Sequence, residues 1–267
     1  MSVFHFDHAL VRRPAASVVR GLRAVDRGAP TFEGIEREFE GYVAALREAG
    51  VAVEVLAPLE DFPDAIFVED PALVFPEGAI VLRPGAPTRR GEAAAIAPEL
   101  RSRFARVLEL AEGTVDGGDV MTTPPAVFIG LSARTDEAGA RALQRLLAEL
   151  GRPSRLVTTP ADVLHFKSDS SLVDDHTILA TPRLAQSGVF DGFRVIHTPA
   201  GEEAAANALR INDRILIGDR FKQTIARLEA EGYRVVPLPI DQIALLDAGF
   251  SCLSLRWRDP GGSGGGV

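Results

Sequence analysis

The 267-residue chain holds a single cysteine, Cys252, so it can form no intramolecular disulfide, and a disulfide-stapled secreted scaffold is excluded. Lysine is almost as scarce: of 29 cationic side chains only Lys167 and Lys222 are lysines. Against 37 acids this leaves a net charge of −8, which argues against nucleic acid as a partner, because phosphate recognition needs clustered positive charge. No apolar run approaches the roughly 18 residues required to span a bilayer, and the longest are strand-sized, as at 79–82. Near the N-terminus His5, Asp7 and His8 stand where a secretory signal would be unbrokenly apolar. The expectation is a soluble cytoplasmic protein with no membrane partner, and a composition of 46 % hydrophobic and 25 % charged residues is that of an ordinary globule.

What the chain does have is a repeated unit. Between Thr31 and Gly50 the residues Phe32, Ile35, Phe39, Tyr42, Val43 and Leu46 fall at helical spacing; Gly50 is a stop, 51–57 alternates as a strand, and Pro58 closes it. Helix, glycine, strand and proline return at 137–160 and at 221–239. A helix at 91–104 leading into a strand at 107–110 is a fourth candidate, and 208–218 reads as two strands turning at Asn212 and Asp213. Helices alternating with strands predict an α/β protein, a single domain over 1–258 followed by a flexible Gly-rich tail at 259–267.

The segments that follow each unit carry reactive groups. After Pro58, an apolar strand is predicted at 61–71 that holds Asp61, Asp64, Glu69 and Asp70. Acids disfavour strands, so these are either a solvated strand end or a wall that accepts bidentate hydrogen bonds from a cation. After Pro160, alternation would set Leu164 and Phe166 on one face and His165 and Lys167 on the other. A lone histidine is more often structural, and His176 beside Asp174 and Asp175 competes for any acid-base role. After Pro239, Cys252 falls on the polar side of a strand behind a Gly-containing turn, where an activated thiolate would lie, although free cysteine commonly packs as a small hydrophobe. Between the first and second of these groups, Asp116 and Asp119 bracket a glycine pair, either a hairpin turn or an acid set to orient a histidine.

The segments FPDAIFVEDP (62–71), RPG (83–85), RRGE (89–92), DGGD (116–119), GLSART (130–135), LHFKS (164–168) and DAGFSC (247–252) together resemble the dimethylarginine dimethylaminohydrolase family, from about Phe6 to Trp257. This family is a branch of the guanidine-modifying pentein superfamily. The resemblance implies a five-bladed α/β propeller with its site in a central channel, hydrolysing methylated arginine to citrulline through a covalent cysteine intermediate. It implies Cys252 as nucleophile, His165 as general acid and base and Asp116 as its orienting acid. It further implies Asp70 with Glu69 on the guanidinium, Asp64 on the α-amine, Arg89 and Arg134 on the α-carboxylate, Leu22 in a lid and Ser251 beside the nucleophile. Ala248 stands where many relatives have a second glycine. No cofactor and no metal are implied, and the partner is a small molecule, with a homodimer allowed.

Two other readings are to be weighed. Arginine deiminases share the Gly-Gly-Asp and histidine segments, but they are usually longer and carry a basic residue where Glu69 stands. A non-catalytic propeller that binds ribosomes would have no reason to keep a nucleophile together with its base.

Overall fold

In the computed structural model, which describes residues 2–259, the strands fall into five three-stranded sheets built to one plan. In chain order the elements begin with β1 (His8–Arg12), α1 (Phe32–Glu48) and β2 (Ala52–Leu56), then β3 (Ala72–Phe75), β4 (Gly78–Val81), α2 (Arg90–Arg101) and β5 (Val107–Glu109). They continue with β6 (Val120–Thr122), β7 (Val127–Leu131), α3 (Glu137–Glu149) and β8 (Ser154–Thr158), then β9 (Ser170–Asp174), β10 (Thr177–Ala180), α4 (Pro182–Ala185) and β11 (Arg194–His197). The last are β12 (Leu209–Ile211), β13 (Arg214–Gly218), α5 (Lys222–Ala230), β14 (Arg234–Leu238), α6 (Asp241–Ala244) and β15 (Leu255–Trp257).

In four of the five sheets a middle strand pairs antiparallel with the strand before it and, across a helical connection, parallel with the strand after it. The fifth sheet closes the circuit, because β15 pairs antiparallel with β1, His8 opposite Trp257, while β1 runs parallel to β2. First strands of neighbouring sheets lie side by side, β9 against β12 and β15 against β3, so the five blades of this α/β propeller surround a common centre.

Burial explains the sequence pattern of each strand type. Middle strands such as β4 and β10 are buried at every position, as expected when both faces are covered, and their sequences are continuously apolar. Third strands are partly exposed at the rim, β2 at alternate residues and β14 at Arg234 and Pro237, and Pro237 is tolerated there because it lies on a sheet edge. The helices that join them turn one stripe inward: α1 buries Ile35, Phe39, Tyr42, Val43 and Leu46, and α3 buries Ala140, Leu143 and Leu147. Thr31 caps α1 by accepting the Gly34 N–H at 3.2 Å, and Asp136 caps α3 by accepting the Gly139 N–H at 2.7 Å. Gly50, Gly151 and Gly232, which end α1, α3 and α5, all take left-handed φ values of 84°, 74° and 85°. Among the described residues no helix is long and apolar enough to cross a membrane.

Three expectations need correction. The blade containing β9 to β11 has the same plan as the others but is invisible as a repeat, because α4 is a single turn and shows no periodicity. The expected strand at 61–71 is a succession of turns in which 64–71 are all buried, so Asp64, Glu69 and Asp70 are sequestered among partners and only Asp61 is exposed. The strands expected around His165 and Cys252 are instead 3-10 turns, Phe166–Ser168 and Phe250–Leu253, and β15 begins only at Leu255. Of the expected tail only Asp259 is described; residues 260–267 lie outside the described residues.

Candidate active site

The turns that lead into the first strands gather at the centre. Gly117–Asp119 precedes β6, Phe166–Ser168 precedes β9 and Glu203–Ala206 precedes β12, and consecutive members of this series pack against each other. Asp116, wholly buried, offers Oδ2 to His165 Nε2 at 3.0 Å while its Oδ1 accepts the Gly85 N–H at 2.7 Å. The two following glycines are required by close approach. A Cβ at 117 would stand 1.9 Å from the Glu69 carbonyl oxygen, and one at 118 would stand 2.7 Å from His165 Nδ1. Asp119 beneath them accepts from the Ser132 and Thr135 hydroxyls at 2.6 Å each and from the Phe166 N–H at 2.9 Å, which fixes the backbone next to His165. Burial pulls the His165 imidazolium down, but the Asp116 hydrogen bond and the charges of Asp119 and Asp70 outweigh it and hold the group up at about 9. At neutral pH this histidine is a cation.

Asp70, 4 % exposed, accepts the Gly118 N–H at 3.1 Å on one oxygen and the Arg89 guanidinium on the other. Burial opposes its ionisation, yet Arg89 and His165 keep its pKa below the usual carboxylate value. Arg89 is itself buried and heavily engaged, donating to both oxygens of Glu92 and to the Asp64 and Phe67 carbonyls at 3.1 Å. Asp64 accepts the Leu22 N–H at 2.9 Å, which ties the loop after residue 20 to the pocket. Burial pushes the Asp64 carboxyl up and lifts Glu92 to about 7 against the pull of Arg89. Three acids therefore share one buried cation, an excess of negative charge that an entering cation would relieve. Arg134, half-buried and electrostatically felt by Asp64, makes no side-chain hydrogen bond or ion pair with the described residues.

Glu69 is turned elsewhere: Lys167 Nζ lies 2.5 Å from its Oε1 and Arg256 Nη2 lies 3.4 Å from it, while the Ser251 hydroxyl donates to Oε2 at 3.2 Å. This trio borders a cavity of about 650 Å³ that Cys252, His165 and Asp116 do not line. Cys252 is half-buried against the core cluster around Phe39 and Phe250. Its Sγ lies 3.7 Å from Asn207 Nδ2 and 4.0 Å from Ser251 Oγ. Burial pushes its thiol up, and the charges of Glu69 and Asp70 push it further, to about 11. In the turn before it the left-handed position falls on Asp247, φ 56°, so Ala248 brings no backbone strain. The Asp247 carboxylate accepts the Ala24 N–H at 2.5 Å and pairs with Arg27, holding the Leu22 loop down.

Asp70, Asp116 and His165 bring potential ligand atoms within 4.8 Å of one another, the one such grouping among the described residues. Those atoms already serve Arg89, two backbone N–H groups and each other, which suits proton handling better than metal binding.

Comparison with known proteins agrees with this geometry. A family model described as N,N dimethylarginine dimethylhydrolase, eukaryotic, matches residues 31–152. The N(G),N(G)-dimethylarginine dimethylaminohydrolase of Pseudomonas aeruginosa is 34 % identical over 94 % of this chain and the whole of its own. The chain belongs to the dimethylarginine dimethylaminohydrolase family. The Streptomyces coelicolor member is 32 % identical over 94 % of this chain and 97 % of its own. A structure of the Pseudomonas protein, a cysteine-to-serine mutant complexed with citrulline, superposes with a TM-score of 0.92 over 95 % of this chain at 34 % identity. The N-terminal domain of ArgZ, at 17 % identity and a TM-score of 0.79, shares the fold.

Several residues of this dimethylarginine dimethylaminohydrolase site escaped the sequence reading. Glu92 lies in the RRGE segment, 89–92, but its pairing with Arg89 has no sequence signal beyond i,i+3 spacing. Lys167 was legible beside His165 in the LHFKS segment, but its ion pair with Glu69 joins positions that no local pattern connects. Asn207, flanked by alanines, carries no titratable signal at all.

Proposed function

We propose that the protein hydrolyses Nω-methylated arginine to citrulline and the corresponding methylamine. The observation that carries this reading is the position of Asp70, whose single carboxylate bears on the His165 imidazolium and on the Cys252 thiol together. A guanidinium bound to it is thereby presented to both. A guanidinium carbon is a poor electrophile because its charge is delocalised, so a thiolate and exact positioning are both required.

The resting thiol, at about 11, is mostly protonated at neutral pH. A substrate cation arriving at Asp70 offsets one of the two charges that raise it and sets a positive charge beside the sulfur, which pulls the thiol toward ionisation as substrate binds. The thiolate then forms a C–S bond to the guanidinium carbon. Because Asp116 holds Nε2–H, Nδ1 is the His165 nitrogen free to exchange a proton. It protonates the departing dimethylamine, the C–N bond breaks and a covalent thiouronium remains. Neutral His165 next takes a proton from water, whose oxygen adds to the same carbon, and expulsion of the Cys252 thiolate leaves citrulline.

The rest of the pocket complements the remaining charges of the amino acid. Asp64, with the Leu22 loop over it, takes the α-ammonium, and Arg134, whose side chain makes no hydrogen bond or ion pair among the described residues, takes the α-carboxylate. Arg89, already committed to Asp70 and Glu92, holds the acids in place and has little left to offer the carboxylate. Glu69 backs the nucleophile through Ser251. The test is citrulline formation run in parallel on asymmetric dimethylarginine, monomethylarginine and arginine, with Cys252→Ser as the inactive control. Turnover of arginine equal to that of its methylated forms would favour a deiminase instead, and activity in Cys252→Ser would refute the covalent route.

A further inference from the structure

Four of the five blades place a reactive group on the segment just before their first strand: Asp70 before β3, Asp116 before β6, His165 before β9 and Cys252 before β15. The fifth blade, that of β12 to β14, contributes Asn207, two residues before β12. The five positions follow one another at intervals of 46, 49, 42 and 45 residues. Asn207 thus occupies the place in its blade that the others use for chemistry.

Its side chain is oriented by its neighbours. Asn207 is 8 % exposed, and its Oδ1 accepts the Ser251 N–H at 3.4 Å. A backbone N–H can only donate, so it selects the carbonyl end of the amide and turns the NH₂ end toward Cys252 Sγ, 3.7 Å away. Two sequence features make room for this contact. Ala205, Ala206 and Ala208 let the segment pack closely, and Gly249 is small because a Cβ there would lie 2.4 Å from Asn207 Cγ. The glycine before the nucleophile is thus fitted to the asparagine.

From this geometry we infer that Asn207 is a further catalytic residue, whose amide N–H donates to the Cys252 thiolate both when the sulfur attacks and when it is expelled. The inference rests on Cys252 being the nucleophile. A donor fixed on sulfur favours the anion over the thiol, as hydrogen bonds to a charged form do, and it opposes the burial and the carboxylates that raise this thiol. It needs no charge of its own, so it does not compete with the guanidinium for Asp70.

The experiment uses Asn207→Asp, which keeps the acceptor for Ser251 but replaces the donor with an anion, and Asn207→Ala, which removes the amide. Two readouts are taken on the full-length protein, with thermal melting as the control for folding. The first is the rate of Cys252 alkylation by iodoacetamide against pH, which needs no turnover. The second is kcat and KM for dimethylarginine. The apparent thiol pKa is expected to rise by about one unit in Asn207→Ala and further in Asn207→Asp, with kcat falling about 10- to 100-fold and KM little changed, the scale of a lost hydrogen bond to a charged group. A folded variant of either kind with the wild-type alkylation profile overturns the role of Asn207. Failure of the nucleophile assignment would show separately, as activity in Cys252→Ser.

Discussion

Asp116→Asn removes one charge from the centre of the site without changing its volume, and its outcome follows from two hydrogen bonds. The Gly85 N–H, 2.7 Å from Oδ1, can only donate, so it will take the carbonyl oxygen of the new amide. The NH₂ group is then turned to His165 Nε2, which sits 3.0 Å from the other oxygen in the wild type. A donor facing Nε2 obliges that nitrogen to accept, whereas imidazolium must donate from both nitrogens, so the cation is disfavoured. Loss of a charge-assisted bond worth about 1.5–3 kcal/mol, at about 1.36 kcal/mol per pKa unit, should lower His165 by about 1 to 2 units. Its starting point is about 9, so the group becomes partly neutral near physiological pH. Between the unperturbed value and about 9 the wild-type histidine is protonated and able to give its proton, and activity should fall as pH rises through that upper value. In the variant this alkaline limb should move down by the same 1 to 2 units, so kcat at about pH 9 should fall by about 5- to 50-fold, while near pH 7, where the group stays at least half protonated, it falls by about 2-fold or less, with little change in KM, because a neutral imidazole is a poor general acid. The assay is citrulline release from dimethylarginine across about pH 6 to 10. An alkaline limb that stays near the wild-type position in Asp116→Asn would refute the argument that Asp116 maintains the cation.

The two arginines should separate cleanly. Arg134→Lys, at the position proposed to anchor the α-carboxylate, is expected to raise KM for dimethylarginine about 10-fold or more with kcat and melting temperature nearly unchanged, whereas Arg89→Lys should lower the melting temperature by breaking a buried cluster of three acids; equal effects on KM alone would contradict the division of roles. Gly117→Ala should destabilise the fold by about 3 kcal/mol or more in urea unfolding, because its methyl group meets a backbone carbonyl at 1.9 Å that cannot rotate away; a cost below about 1 kcal/mol would mean the Glu69 segment yields easily.

How much of this could be read from the sequence depends on the kind of signal. The units built on α1, α3 and α5 were legible because each helix is long enough to show its apolar stripe and each ends on a left-handed glycine. The blade of β9 to β11 was not, since a four-residue helix has no period to detect. The functional segments were misread as strands for a related reason. Around Asp70, His165 and Cys252 the chain turns, and apolar and acidic neighbours are buried together, so the face-by-face logic of a strand does not apply. Individually each of these residues had an ordinary structural explanation, and the glycine pair at 117 and 118 could be either a hairpin turn or part of an acid set to orient a histidine. Only in three dimensions does it become the gap that admits the Glu69 carbonyl and the His165 ring. The pairing of Arg89 with Asp70 joins positions 19 residues apart and that of Glu69 with Arg256 joins positions 187 apart, contacts no local pattern encodes.

The order in which the groups lie along the chain also bears on how the site comes into being. Asp70, Asp116, His165, Asn207 and Cys252 come from five different blades, so every contact at the centre is long-range, and the site can form only after the blades have packed around it. Cys252, the proposed nucleophile, lies on the last turn before β15, the strand that completes the first blade by pairing with β1. Three other ties converge on the same turn. Glu69 receives the Ser251 hydroxyl, Asn207 receives the Ser251 N–H, and the Tyr42 hydroxyl meets Ser254 in the buried layer behind it. Closure of the ring and assembly of the nucleophile are therefore one event. A chain whose β15 is unpaired would leave the thiol without the Asn207 amide that faces it and away from the Asp70 carboxylate proposed to seat the guanidinium, so the proposed site is complete only when the ring is closed.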